Sequence, residues 1–199
     1  AIERASQVAE HLGIALHVID LRDAFREQVV DYLIAEYLAG RTPNPCLACN
    51  RTLKFGRLLH EARRLGGDLL STGHYVRTER RDGQWRLLRG LDRHKDQSYV
   101  LYMLGQAELA ATLFPLGELA KAQVRQIALE RNLPVARQAE SQEICFIPDD
   151  DYRRFLWERA PERIVPGPIL STNGEEIGRH HGLPFYTIGQ RKGLGIAAA

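Results

Sequence analysis

Pro43 and Pro45 constrain the chain more than any other pair of residues. Each locks its own φ and pushes the residue before it out of the helical region, so within Gly40–Phe55, GRTPNPCLACNRTLKF, the residues just before the prolines must run extended. Cys46 is therefore expected on a stiff loop, with a helix starting only after it. From Asn50 the apolar residues Leu53, Phe55, Leu58, Leu59, Ala62 and Leu65 recur near helical spacing. That puts Cys49 at or near a helix N-terminus, where unpaired N–H groups and the helix dipole favour a thiolate. A C-x-x-C pair alone admits a structural zinc half-site, a redox pair or two unreactive thiols, and zinc would need two further ligands. The remaining cysteine, Cys145, lies far downstream in ESQEICFIPDDDY.

The segments around this loop alternate between helix and strand patterns. Ile2, Val8, Ala9 and Leu12 supply one helical face, ended by Gly13, and Ala15–Leu21 (ALHVIDL) reads as a buried strand. A second helix is expected from Asp23 to Ala39, with Phe25, Val29, Leu33 and Tyr37 on one face. After Gly66-Gly67, DLLST reads as a short strand ending in Gly73-His74-Tyr75. In open parallel sheets ligands sit beyond the carboxyl ends of strands, so Gly73 would let a flat ligand approach and His74 would face the same crevice. A turn glycine and a surface histidine are the plainer alternatives.

Val76–Arg89 alternates around Asp82-Gly83, a hairpin signal. It carries Arg77, Arg80, Arg81, Arg86 and Arg89, with Arg93, His94 and Lys95 following. Such charges ordinarily solvate a hairpin, but a phosphate backbone suits their density. Asp96-Gln97-Ser98 then opens a short apolar helix, SYVLYML, and Gln106–Asn132 reads as helical, with Leu119, Val124, Ile127, Ala128 and Leu133 as core. Pro134 ends that stretch, and Val135–Ile147 is expected extended or looped. Asp149–Asp151 most simply caps the next helix, a cation site being the other reading. Beyond Pro161 frequent glycines and the Asn173-Gly174 turn suggest short strands, including Phe185–Ile188, so a boundary is expected near residue 160. Arg191 and Lys192 form a basic turn.

Composition sets outer limits. The net charge of +2 is too small to argue for nucleic acid by itself. The sequence has no bilayer-length apolar run and no secretory signal, so no membrane partner is expected. An odd number of cysteines, three, suits a reducing cytoplasm better than a secreted disulfide framework. Neither end reads as a domain boundary, and the chain is expected to be a piece of a longer protein.

GRTPNPCLACNRTLKF, STGHYVR, HKDQSYVLYML, SQEICFIPDDDYRRFL and GLPFYTIGQRKGLGI occur in this order and spacing in the tRNA-specific 2-thiouridylases, which the chain resembles over nearly its whole length. The resemblance implies an α/β fold. Residues 1–160 would form part of a Rossmann-like, adenine-nucleotide alpha-hydrolase-like parallel sheet domain, and residues 161–199 the start of a small β-rich domain. It implies an ATP- and Mg2+-dependent sulfurtransferase that adenylates the C2 oxygen of the wobble uridine of tRNA. Sulfur would come from a sulfur-relay protein or cysteine desulfurase. Cys145 would carry the persulfide and Cys49 would be the nucleophile that frees the sulfur, leaving a Cys49–Cys145 disulfide and AMP. Asn44, Pro45 and Cys46 would line the target base, Gly73 would contact ATP, and His74, Lys95, Asp96 and Gln97 would touch tRNA. The uridine must leave the anticodon stack to reach such a pocket.

Two departures qualify these expectations. Many members carry an acidic residue where this chain has Cys46, and three cysteines also suit an iron–sulfur cluster with one iron left open. Members begin with a strand and an SGG-x-DS pyrophosphate loop, a motif that does not occur in this sequence, and residues 161–199 are expected to be only part of a C-terminal barrel. The chain as it stands is therefore expected to bind ATP weakly and not to adenylate RNA. A non-catalytic tRNA-binding module built on the basic hairpin is the alternative from a different class, and a cysteine metal or redox protein a third.

Overall fold

The computed structural model describes residues 2–138 and 144–196. They divide into two compact units, residues 2–24 with 46–138 and residues 25–45 with 144–196. Of Val135–Ile147, expected extended or looped, residues 139–143 fall outside the described residues.

The first unit opens on the helix Ile2–Leu12, closed by Gly13 at φ +64°. The apolar face expected to be buried is open: Ala9 is its one buried residue. Ala15–Leu21 is likewise not the buried strand the sequence suggests. It runs without a ladder partner among the described residues, and Val18 is 62% exposed. An apolar β-prone run defines what wants burial, but a strand also needs a neighbour to bond.

Downstream the helix begins at Pro45, earlier than expected. Pro45–Ala48 is already helical and continues through a wide, π-type stretch, Cys49–Leu58, into Leu59–Arg64. Proline is suited to the first helical position, where its missing N–H is no loss. Cys46 therefore sits in the first turn rather than on a loop, and Cys49 about one turn inside.

The strands follow as β1 (Leu70–Ser71), the hairpin β2 (Val76–Arg81) and β3 (Gln84–Arg89), and β4 (Thr112–Leu113). β1 and β4 pair in parallel, Leu70 opposite Thr112 and Ser71 opposite Leu113. The hairpin turns at Asp82 (φ +52°) and Gly83 (φ +78°), the left-handed pair that an Asp-Gly turn supplies. β4 interrupts the stretch expected to be helical throughout. The chain is helical at Gln106–Ala110 and Lys121–Glu130 only, and Pro115 and Gly117 lie in the turn between. The core accordingly takes Leu109 and Phe114, with Phe55, Val76, Val100 and Leu101, whereas Lys121–Glu130 buries no residue fully. SYVLYML forms a single 3-10 turn, Ser98–Val100, in place of a helix.

In the second unit helical backbone runs from Phe25 through a π-type turn, Arg26–Val30, into Asp31–Leu38. Val29, Leu33 and Tyr37 are buried on the expected face. Leu33 and Tyr37 pack with Ile147, Phe155, Leu156 and Ile164. The helix Tyr152–Arg159 is capped by Asp151, whose carboxylate accepts from Arg154 N–H at 3.0 Å. β5 (Gly167–Leu170) and β6 (Glu176–His180) form an antiparallel pair around the Asn173-Gly174 turn. Phe185–Ile188 is not the expected strand; Leu183–Phe185 is a 3-10 turn, and Pro184 offers no N–H to a ladder. The fold class is the expected one: part of an α/β parallel-sheet domain followed by a small β-rich segment. No helix among the described residues is long and apolar enough to cross a membrane.

Candidate functional site

β1 ends at Ser71, and the chain then turns through Thr72-Gly73-His74 before β2 begins. Two glycines fix this corner. A Cβ on Gly117 would lie 1.9 Å from the Val76 carbonyl oxygen, and one on Gly90 would lie 2.6 Å from that of Tyr75. Only bare backbone fits between the corner and its neighbours. Gln97 adds a two-point clasp: its side-chain oxygen accepts from Tyr75 N–H at 3.0 Å, and its own N–H donates to the Tyr75 carbonyl at 3.1 Å.

A cleft of about 360 Å³ opens at the carboxyl end of β1, lined by Lys54 and Leu58, by the chain from Leu70 to His74, and by Gln97. Its volume and mixture of apolar and polar groups suit part of a small ligand. Gly73 leaves room there, since an added Cβ would meet only Leu116 at 3.7 Å.

His74 is not the surface residue of the plainer reading. It is 8% exposed, with Phe55 at 5.9 Å and Phe114 at 6.4 Å between ring centroids, and its Nδ1 shares a hydrogen bond with Thr72 Oγ1 at 2.9 Å. Burial, assisted by the positive charge of Lys54, pushes its pKa down to about 4, so the ring is neutral at physiological pH. A neutral imidazole held by a hydroxyl can donate or accept one directed hydrogen bond without bringing charge into the cleft.

Asp96 and Gln97 serve the fold directly. Burial opposes ionisation of Asp96, but hydrogen bonds from Gly90 N–H (2.9 Å), Ser98 Oγ (2.8 Å) and Ser98 N–H (3.3 Å) outweigh it and lower its pKa. Lys95 sits half-buried in the same loop. Gly73, His74 and Gln97 are thus brought round one cleft, with Lys95 and Asp96 in the loop that leads to it.

The cysteines are distributed differently. Cys46 is exposed and Cys49 half-buried on the helical run that also carries Lys54 and Leu58 to the cleft; neither lines it. Cys145 is exposed and belongs to the second unit. Asn44 is half-buried just before the helix, and Pro45 is buried as its first residue. Beside Cys49, Asn50 is 2% exposed and donates from Nδ2 to the Val100 carbonyl at 3.0 Å. Its Oδ1 and the buried Tyr75 hydroxyl have no hydrogen-bond partner among the described residues. Among those residues no group of three or more His, Cys, Asp or Glu side chains is arranged to hold a metal ion.

Sequence reasoning missed Lys54, Ser71 and Thr72 in the cleft. The position of Ser71 and Thr72 just before Gly73 at a strand end was the available signal, whereas Lys54 gave none.

Residues 1–149 match the family described as tRNA methyl transferase HUP domain, and residues 153–199 that described as tRNA methyl transferase PRC-barrel domain. The chain is 56% identical over 199 residues to the tRNA-specific 2-thiouridylase MnmA of Moorella thermoacetica, covering 99% of this chain and 56% of that protein. It is 55% identical to the protein of the same name from Pelotomaculum thermopropionicum, covering 100% of this chain and 54% of the relative. The protein of that name from Carboxydothermus hydrogenoformans is 54% identical, with 99% and 54% covered. The chain spans about half the length of these curated relatives.

Proposed function

Because the chain belongs to the tRNA-specific 2-thiouridylase family, we propose that it provides the two reacting cysteines and part of the nucleotide site of a cytoplasmic enzyme that replaces the C2 oxygen of the tRNA wobble uridine by sulfur. Residues 1–160 would be its catalytic segment and 161–199 the start of a small adaptor domain. The observation that carries this reading is the cleft at the carboxyl end of β1, open at Gly73 and faced by a neutral His74, beside the helical run that holds Cys49. A cysteine pair is what this sulfur chemistry uses, one thiol to carry the sulfur and one to release it.

ATP, with Mg2+ balancing its phosphates, would supply activation of the C2 oxygen, which otherwise leaves poorly. The cleft suits the adenosine portion: Leu58 and Leu70 offer apolar contact, Gly73 lets the ring approach the backbone, and Ser71 and Thr72 offer hydrogen bonds. The family's phosphate-binding segment is not in the sequence. Asn44, Pro45 and Cys46 would border the target base, and His74 with Lys95, Asp96 and Gln97 would meet the tRNA.

In the sulfur step the terminal sulfur of a Cys145 persulfide, loaded by a relay protein or desulfurase, bonds to C2 as the activated oxygen departs on AMP. Cys49 thiolate then attacks Cys145 Sγ. The bond between Sγ and the transferred sulfur breaks, its electron pair stays with the sulfur on C2, and two thiols are oxidised to the Cys49–Cys145 disulfide. No step is routed through an iron–sulfur cluster.

Mass spectrometry of tRNA nucleosides from cells lacking the gene tests the reading, with loss of 2-thiouridine expected. Restoring the gene should bring it back, and Cys49→Ser or Cys145→Ser should each fail to do so, while Cys46→Ser retains partial activity. Unchanged 2-thiouridine in the deletion, or near-normal rescue by all three variants, overturns it.

A further inference from the structure

The segment after Gln97 places its side chains in two opposite environments. Val100 and Leu101 are buried in the first unit's core, whereas Tyr99 and Tyr102 are 64% and 70% exposed. Two large aromatic rings held in water three residues apart are not explained by packing. Their support is rigid: β3 packs against the Ser98–Val100 turn, Gln97 is clasped to Tyr75, and the Asn50 amide holds the Val100 carbonyl.

The loop before them, residues 90–97, turns its acidic groups inward. Asp92 accepts from His94 N–H at 3.1 Å and from Lys121 N–H at 3.0 Å, and Asp96 accepts from Gly90 and Ser98. Arg89, Arg93 and His94 are exposed. Exposed cations at 89, 93 and 94 thus precede two exposed rings at 99 and 102 within one short segment, a combination suited to single-stranded nucleic acid: cations track the phosphates and rings stack on bases. Paired bases have no free face, so such a surface favours an RNA loop over a duplex.

We propose that Tyr99 and Tyr102 form a stacking platform for unpaired bases of an RNA loop, with Arg89 and Arg93 contacting the flanking phosphates. This rests on the reading of the protein as one that acts on tRNA, and it names the part of that substrate held here.

The test measures binding of the complete gene product to an anticodon stem-loop RNA and to a duplex of matching length by fluorescence anisotropy across a salt series. Tyr99→Ala and Tyr102→Ala should each weaken stem-loop binding roughly tenfold, leave duplex binding within about twofold, and leave the salt slope unchanged. Phenylalanine at either position should restore binding, because the ring and not the hydroxyl stacks. Arg89→Ala and Arg93→Ala should each flatten the salt slope by about 0.7 on single-stranded RNA. Thermal midpoints of the tyrosine variants should match the parent, as both rings are exposed. Stem-loop binding unchanged in the double tyrosine variant, with 2-thiouridine still formed, overturns the platform and leaves the proposed function standing. Tyrosines shielded from solvent in the complete protein, or retained RNA binding with loss of a co-purifying protein, likewise overturn it. A parent protein that binds neither RNA removes both readings.

Discussion

At the scale of single residues, His74 shows how burial sets chemistry. Its folded pKa of about 4 lies below the unfolded value near 6.5, so between these limits the unfolded chain binds the extra proton. The sign follows: stability is greatest above about pH 6.5 and falls as pH drops towards 4, by up to about 3 kcal/mol from this residue. Urea unfolding at steps across that window should show the decline, and His74→Gln should flatten it; equal slopes would return the ring to water. Asp92 and Asp96, whose pKa values are lowered, add their own losses only at still lower pH. Gly73 tests the cleft without disturbing the fold. Its added methyl meets Leu116 at an ordinary 3.7 Å, so Gly73→Ala should hold stability within about 0.5 kcal/mol. ATP affinity of the complete protein, measured by calorimetry, should fall several-fold; an unchanged affinity would detach Gly73 from nucleotide binding.

At the scale of elements, local chemistry was legible wherever one residue type meets a stereochemical need. The Asp82-Gly83 turn supplies two left-handed residues, and Asp151 supplies a cap. Asp151→Ala should cost about 1 kcal/mol in chemical denaturation and Asp151→Asn much less, because the amide oxygen still accepts from Arg154. Equal losses would locate the stabilisation in charge alone. Asp149 pairs instead with Arg154 at 2.7 Å, so the aspartates divide between a cap and an exposed ion pair. The helix start at Pro45 was legible in principle, since proline both bars helix behind it and suits the position where a helix opens. The first effect alone leads to a loop through Cys46; the second moves the helix start forward to Pro45. Thr112–Leu113 was hidden for a different reason: two residues carry no period, and pairing with β1 is a tertiary fact. Ala15–Leu21 shows the converse, an apolar pattern that no neighbour among the described residues covers.

At the scale of the molecule, the two contact units cut across the order of the chain, because residues 25–45 join 144–196 while the segment between them forms the other unit. Composition cannot reveal that division, since the glycine-rich texture changes only near residue 160. It separates the cysteines as well: Cys49 belongs to one unit and Cys145 to the other. A disulfide joining them therefore reports on the whole protein and cannot arise within either unit alone. With tRNA, ATP and an excess of a protein persulfide donor supplied and every other thiol withheld, the complete gene product should form one 2-thiouridine per enzyme and stop. Non-reducing peptide mapping should then find Cys49 linked to Cys145, and a dithiol should restart turnover, since the proposed cycle ends with both thiols oxidised. Continued turnover without reductant, or a link through Cys46 instead, would require a different sulfur chemistry. The stoichiometry decides between them, because only a cycle in which the protein's own cysteines supply both electrons halts after a single product.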